Sequence, residues 1–151
     1  GKLLDSASGR AVSEIPGAGA AGGLGVAFMA LLGAKPQRGV EVVIATVKLG
    51  EKIAGADFVF TGEGSLDSQT KFGKTPWGVM LEARAQGVPT IAFTGNLGRD
   101  VESLHENGFE AIIPTVRVVG TLKEALATAQ PSLQDSVRMA CRILAAARTR
   151  E

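Results

Sequence analysis

Three short apolar segments alternate with helical patterns from residue 57 onward, and this alternation restricts the fold more than any other feature of the chain. The apolar segments are residues 58–60, 88–93 and 111–113. Continuous apolar runs are typical of parallel strands that are buried on both faces, and helices between them provide the crossovers. The sequence therefore predicts an α/β fold with a Rossmann-like parallel sheet.

Helices are predicted between and after these strands. Thr75 is a suitable N-cap, with Pro76 at the first helical position. In the last helix Leu133, Val137, Ala140, Leu144 and Ala147 form one apolar stripe, and we expect Cys141 to pack in the core. Four helices are predicted in this part of the chain. They run from Thr75 to near Gly87, from near Val101 to Gly108, from residue 121 to residue 128 and from residue 131 to residue 148.

The first part of the chain has a different texture. Residues 17–25 form a glycine-rich turn that leads into an apolar helix, residues 26–32, which Gly33 and Pro36 end. Residues 40–44 are either a short strand or the beginning of a helix, and of the two we favour the strand.

Composition excludes several classes of function. The chain of 151 residues has a net charge of +1, 5% aromatic residues and no tyrosine, which argues against nucleic-acid binding. No apolar run approaches the ~20 residues of a membrane span. A single cysteine, Cys141, excludes an internal disulfide and fits a reducing compartment. We therefore expect a cytoplasmic protein with a small-molecule partner and neither a membrane nor a nucleic-acid partner. The oligomeric state is left open, with a homo-oligomer as one alternative.

The predicted sheet is thin for its class. A typical sheet has about 5–6 strands, whereas this sequence offers three. We therefore expect the chain, which begins with Gly1 and not with methionine, to be part of a longer protein. In this interpretation residues 1–48 belong to one domain and residues 49–151 to another.

Polar residues crowd the segment that follows the first predicted strand, residues 61–70, which we interpret as a loop. Ligands of open α/β sheets bind outside the carboxyl ends of the strands. Glu63 and Asp67 are four residues apart, so a compact loop would bring both carboxylates together, to coordinate Mg²⁺ or to take a proton from a substrate hydroxyl. The alternative is that Asp67 caps a turn and Glu63 faces solvent.

Two further positions lie near this loop. Lys74 comes just before a predicted helix, where it either reaches a phosphate or is a solvated surface lysine; the surrounding sequence is not a Walker A motif. Thr94, Gly95 and Asn96 end the neighbouring strand, and Asn96 either binds a hydroxyl or base edge or is an ordinary turn residue.

A second glycine pattern lies near the N-terminus. Gly17, Gly19 and Gly22 match the dinucleotide fingerprint, but no clear strand precedes them. Three interpretations stay open, namely close helix packing through small residues, an anion at a helix N-terminus and, least favoured, an NAD site.

Taken together, three sequence blocks resemble the bacterial two-domain glycerate kinase family. They are residues 17–25, residues 56–70 with the string Thr-Gly-Glu-Gly-Ser-Leu-Asp-Ser-Gln, and residues 73–79. The resemblance implies phosphorylation of D-glycerate by ATP with Mg²⁺, typically to 2-phosphoglycerate. It also implies a Rossmann-like domain built from both ends of a longer chain, with an α/β domain inserted in its middle. Residues 1–48 would be the tail of the inserted domain, and residues 49–151 would be the returning part of the Rossmann-like domain.

With this resemblance, the candidate residues receive roles as hypotheses. Asp67 is the base or the Mg²⁺ ligand, Glu63 is its partner carboxylate, and Lys74 offsets phosphate charge. The substrate- and phosphate-binding set comprises Gly17, Gly19, Gly22, Gly23, Gly62, Gly64, Ser65, Gln69, Thr94, Gly95 and Asn96. The alternatives are a non-catalytic module that binds a nucleotide or small acid, and a folded fragment that lacks half of its site.

Overall fold

A computed structural model describes residues 1–148 of the chain, which form two compact units that divide after Gly39. The first unit contains helices α1 and α2, and the second contains a three-stranded sheet with the remaining helices. In chain order the elements are α1 Lys2–Ser8, α2 Ala20–Leu32, α3 Gly39–Val47, α4 Leu49–Ile53, β1 Val59–Leu66, a 3-10 helix Ser68–Phe72, α5 Thr75–Ala85, β2 Thr90–Leu97, α6 Glu102–Glu106, β3 Phe109–Pro114, α7 Leu122–Ala127 and α8 Ala129–Arg148.

The first unit packs around a small core and a glycine-rich turn. The core residues are Val12, Ala18, Val26, Met29 and Ala30. Hydrogen bonds from the Ser13 hydroxyl and from the backbone of Val12 and Ser13 hold the pKa of Asp5 below its ordinary value. A Cβ placed on Gly25 would lie 2.5 Å from the Gly17 carbonyl oxygen, so the turn folds directly onto the helix that follows it.

The second unit has three layers. The sheet is parallel, with the order β1-β2-β3. On one face Met80 of α5 and Leu104 of α6 pack against Ala92, and on the other face Val137 and Ala140 of α8 pack against Ile91 and Phe93. Because successive residues of β2 point to opposite faces, this strand is buried on both sides, and the arrangement confirms the predicted α/β class. For the first predicted strand, burial on both faces is wrong, since Phe60 of β1 is 42% exposed.

The predicted loop after the first strand is wrong in its extent. Thr61 to Leu66 continue β1, and Thr94 to Leu97 likewise continue β2, in parallel register. Polar residues and glycine suggested a loop. The backbone of each strand is paired with that of the other, and this pairing outweighs the low strand propensity of the segment. The turn therefore begins at Asp67, and not at Thr61.

The strand favoured for residues 40–44 is also wrong, since α3 covers this segment. Val40 and Ile44 are one helical turn apart and pack together over Gly78 of α5. A Cβ on Gly78 would lie 2.5 Å from Val40 and 3.1 Å from Ile44. The i, i+4 spacing of these two residues places them on one face of a helix. This packing outweighs the preference of β-branched residues for a strand.

Two expectations for the last helix need correction. Cys141 is exposed rather than packed in the core. In the predicted stripe Val137, Ala140 and Leu144 do pack against the sheet, but Leu133 is 44% exposed and Ala147 is exposed as well. α8 therefore covers β2 with its middle and lifts away from the sheet near its beginning. Among residues 1–148, no helix has the length and apolar character needed to cross a membrane.

Candidate functional site

The carboxyl ends of β1 and β2 bring together the two polar segments identified in the sequence. Glu63 pairs with Thr94, and Ser65 pairs with Asn96. The Asn96 side-chain amide donates a hydrogen bond to Ser65 Oγ at 3.2 Å. The predicted neighbourhood of the two segments is therefore confirmed, and their residues form one polar edge of the sheet.

Glycines let the two strands approach closely at this edge. A Cβ on Gly62 would lie 2.9 Å from the Phe93 carbonyl oxygen, and one on Gly95 would lie 2.8 Å from the Gly64 carbonyl oxygen. Gly64 itself has open space at its Cβ position. Gly62 and Gly95 are thus required by backbone contact, which gives these two candidate residues a structural role independent of any ligand.

Gly95→Ala is expected to lower the free energy of unfolding by about 1–3 kcal/mol, because its methyl group meets a backbone atom that has no rotamer to escape into. Gly64→Ala is the matched control, since the same methyl group enters open space one strand away. Thermal unfolding of both variants measures the difference. Equal midpoints would show that the strands separate at little cost and that the close approach is not structurally important.

Asp67 ends β1 and starts the 3-10 helix. Its Oδ1 accepts a hydrogen bond from the Gln69 backbone N–H at 3.0 Å, and its own N–H donates to Thr70 Oγ1 at 3.1 Å. Gln69 is exposed, whereas Thr70 is buried. The capping role that the sequence left open for Asp67 is therefore present, and it fixes where the carboxylate lies.

Lys74 points back onto this turn. Its Nζ donates to the Ser65 carbonyl oxygen at 3.1 Å and lies 3.4 Å from Asp67 Oδ1, with about a third of each side chain exposed. Lys74 is also the N-cap residue of α5, one position before the predicted N-cap Thr75. An accessible ammonium group beside a helix N-terminus and a carboxylate is suited to a phosphate that approaches from solvent.

Glu63 is not brought to Asp67 by a compact loop. Four residues of extended strand separate their Cα atoms by ~13 Å. Glu63 instead lines a cavity of about 880 Å³ at the carboxyl ends of β1 and β2. The residues that line it within the described part of the chain include neither Asp67 nor Lys74. Two separate places therefore hold the candidate carboxylates.

The cavity wall opposite the strand ends is apolar. α7 and the beginning of α8 contribute Leu122, Leu126 and Leu133 to it, and Phe60 and Phe93 contribute from the sheet. The sequence patterns did not predict that these residues line a cavity. The signal was present in Leu122 and Leu126, which lie four apart on one face of a predicted helix.

A capping box holds α7 in place above the cavity. Glu124 Oε2 accepts hydrogen bonds of 2.8 Å from both the backbone N–H and the hydroxyl of Thr121. These hydrogen bonds hold the pKa of the Glu124 carboxyl below its ordinary value, and the bond from the backbone N–H has the larger effect. The cap is thus anchored by an ionised carboxylate at neutral pH.

The side chains near Asp67 fit one kind of Mg²⁺ site. Within residues 1–148 no three His, Cys, Asp or Glu side chains come together. Mg²⁺ is often held by one or two carboxylates together with substrate phosphates and water. Asp67 fits that kind of site as a single carboxylate, because about a third of its side chain is exposed beside Lys74. A cage made of protein ligands alone does not fit.

The glycine-rich turn of the first unit contains the remaining candidates. Gly17 and Gly19 precede α2, and Gly22 and Gly23 adopt positive φ in its irregular first turn. The contact between Gly25 and the Gly17 carbonyl supports the packing interpretation of these glycines. Anion binding at this turn stays a prediction.

Comparison with known proteins gives a consistent result. The model of the glycerate kinase family matches residues 1–145. A glycerate kinase from Halalkalibacterium halodurans is 43% identical over 136 residues, which is 90% of this chain and 36% of that protein. The Escherichia coli K12 glycerate 2-kinase is 44% identical over 114 residues, which is 76% of this chain and 30% of that protein.

A solved structure agrees. The protein assigned as glycerate kinase 2 from Salmonella typhimurium LT2 superposes with a TM-score of 0.68 at 36% identity, covering 98% of this chain and 37% of that one. The chain thus spans about a third of the length of the relatives it matches.

Proposed function

The chain belongs to the glycerate kinase family, and on this basis we propose that it is part of an enzyme that transfers a phosphoryl group from ATP to D-glycerate to give 2-phosphoglycerate. The name of the Escherichia coli relative, glycerate 2-kinase, supports the choice of hydroxyl. The same proposal includes a cytoplasmic location, as expected from the sequence. ATP as the donor fits this location.

The observation that carries the proposal is the Asp67–Lys74 pair at the end of β1, with 3.4 Å between Nζ and Oδ1. Phosphoryl transfer requires positioning and neutralisation of charge more than covalent participation by the protein. A cation and a carboxylate held side by side supply both functions, since one meets the phosphoryl oxygens and the other meets the acceptor hydroxyl.

Each residue of the pair has a defined part. Lys74 donates hydrogen bonds to the phosphoryl oxygens and offsets the negative charge that they carry. Asp67 orients the acceptor hydroxyl and accepts its proton, or else holds Mg²⁺ through its carboxylate. Mg²⁺, when bound, neutralises phosphate charge. The Gln69 N–H keeps the Asp67 carboxylate from rotating away.

A non-catalytic binding module is the second candidate, and one observation favours it. Asp67 and Lys74 already satisfy each other and the turn, so the described contacts account for both residues without a reaction. Such a module would bind a nucleotide or a small acid and release no ADP when D-glycerate is added.

The experiment that separates the two candidates uses a protein of the relatives' length that contains these 151 residues, called the long protein below. Incubation with Mg-ATP and D-glycerate is expected to give equal amounts of ADP and 2-phosphoglycerate, observed by phosphorus NMR. The 3-phospho isomer would change the assigned hydroxyl, and a lack of any phosphoglycerate would overturn the proposal.

A further inference from the structure

The cavity between the strand ends and α7 differs chemically from the Asp67–Lys74 pair. Glu63 is the only charged residue among the described residues that line it, and the lining contains neither lysine nor arginine. A cavity with a carboxylate and without a cation is a poor site for phosphate groups or for the glycerate carboxylate. Its volume of about 880 Å³ also far exceeds the needs of a three-carbon acid.

We propose that this cavity binds the nucleoside of the phosphoryl donor, with the base against the leucines of α7 and α8 and the ribose hydroxyls on Glu63. The inference rests on the proposed function, because it assigns a place to the donor of that reaction. Pockets for small molecules are mostly apolar with a few polar groups that fix orientation, and this cavity has that composition.

The carboxylate has the chemistry that a ribose requires. In dinucleotide-binding α/β folds an acidic residue hydrogen-bonds the ribose hydroxyls. Glu63 is exposed at its strand position beside Thr94 and is one of the lining residues. This role replaces the pairing with Asp67 that the sequence suggested, which the extended strand prevents.

The spacing between the two places suits the rest of the donor. Glu63 and Asp67 are ~13 Å apart along β1, so a triphosphate chain is needed to connect a ribose at one to a reacting phosphoryl group at the other. Asn96 also lines the cavity and offers its amide to a polar base edge. The base, the ribose and the phosphates thus each meet groups of matching polarity.

A cavity-filling substitution in the long protein tests the location. Ala129 and Ala147 are both exposed alanines of α8, and only Ala129 lines the cavity. Ala129→Phe is expected to raise KM for ATP about tenfold or more, to leave KM for D-glycerate unchanged and to weaken adenosine binding measured by calorimetry. Ala147→Phe is expected to change none of these. An unchanged KM for ATP and unchanged adenosine affinity in Ala129→Phe would overturn the inference. This is the result expected if another part of the long protein fills the cavity.

A second substitution tests the ribose contact. Glu63→Gln is expected to weaken adenosine binding about tenfold, because a charged hydrogen-bond acceptor is lost, and to leave adenine binding unchanged. Equal affinity of wild type and variant for adenosine would remove Glu63 from the site.

The inference and the proposed function fail in different ways. Adenosine binding that depends on Ala129 and Glu63, without ADP release on addition of D-glycerate, would sustain the inference and overturn the function. Normal glycerate phosphorylation with neither dependence would do the reverse.

Discussion

Asp67→Asn is expected to lower kcat of the long protein by ~10²–10⁴-fold while the fold persists. The amide oxygen of asparagine still accepts the Gln69 N–H, and asparagine caps helices about as well as aspartate, so the turn that follows β1 is retained. The variant loses the negative charge and the ability to accept a proton. The measurement is kcat together with the thermal unfolding midpoint.

Asp100→Asn is the matched control for this change. Asp100 is exposed and has a φ of 56°, a conformation that asparagine tolerates well. We expect no change in kcat there. The dependence on Mg²⁺ then separates the two roles of Asp67, since partial recovery at high Mg²⁺ indicates a metal ligand and an altered pH profile indicates a base. Near-normal turnover of Asp67→Asn would remove this residue from the mechanism.

Lys74→Met is expected to lower kcat by ~10²–10³-fold, because methionine keeps the apolar stem and removes the charge that offsets the phosphoryl oxygens. Stability should change little, since a pair with about a third of each side chain exposed contributes only about 0–1 kcal/mol. The measurement is kcat and KM for ATP and for D-glycerate. The loss is expected mainly in kcat, as for an interaction that strengthens in the transition state.

Lys71→Met provides the comparison, because Lys71 is exposed in the preceding 3-10 helix, with its Nζ 5.5 Å from the centre of the Phe72 ring. Equal losses in both variants would indicate a general effect of net charge on this turn rather than a contact made by Lys74.

The sheet could be predicted from the sequence because its strands are continuous apolar runs, and the helices because their caps and periodicity are local. The length of β1 could not be predicted. Gly62 and Gly64 weaken strand propensity, yet Gly62 is needed there because the Phe93 carbonyl leaves no space for a side chain. That reason exists only once β2 lies alongside. The prediction of a strand for residues 40–44 failed for a similar reason. Their helical face packs against Gly78, which lies far along the chain.

The candidate site was predictable in composition but not in arrangement. Parallel strands place their carboxyl ends together, which explains why Ser65 and Asn96 meet as expected. Whether Glu63 and Asp67 converge depends on a strand boundary, the property that sequence patterns define least well. The apolar cavity was missed because it requires the relation of α7 and α8 to the sheet, which no single segment encodes.

The proposed activity is measured as D-glycerate-dependent release of ADP from Mg-ATP by the long protein, with L-lactate in place of D-glycerate as the control acceptor and the 151-residue chain assayed in parallel. We expect release by the long protein that requires D-glycerate and fails with L-lactate. Release by the 151-residue chain as well would place the whole catalytic set within these residues. ADP release by the long protein that is absent, or that is the same with and without D-glycerate, would overturn the proposed phosphoryl transfer to D-glycerate.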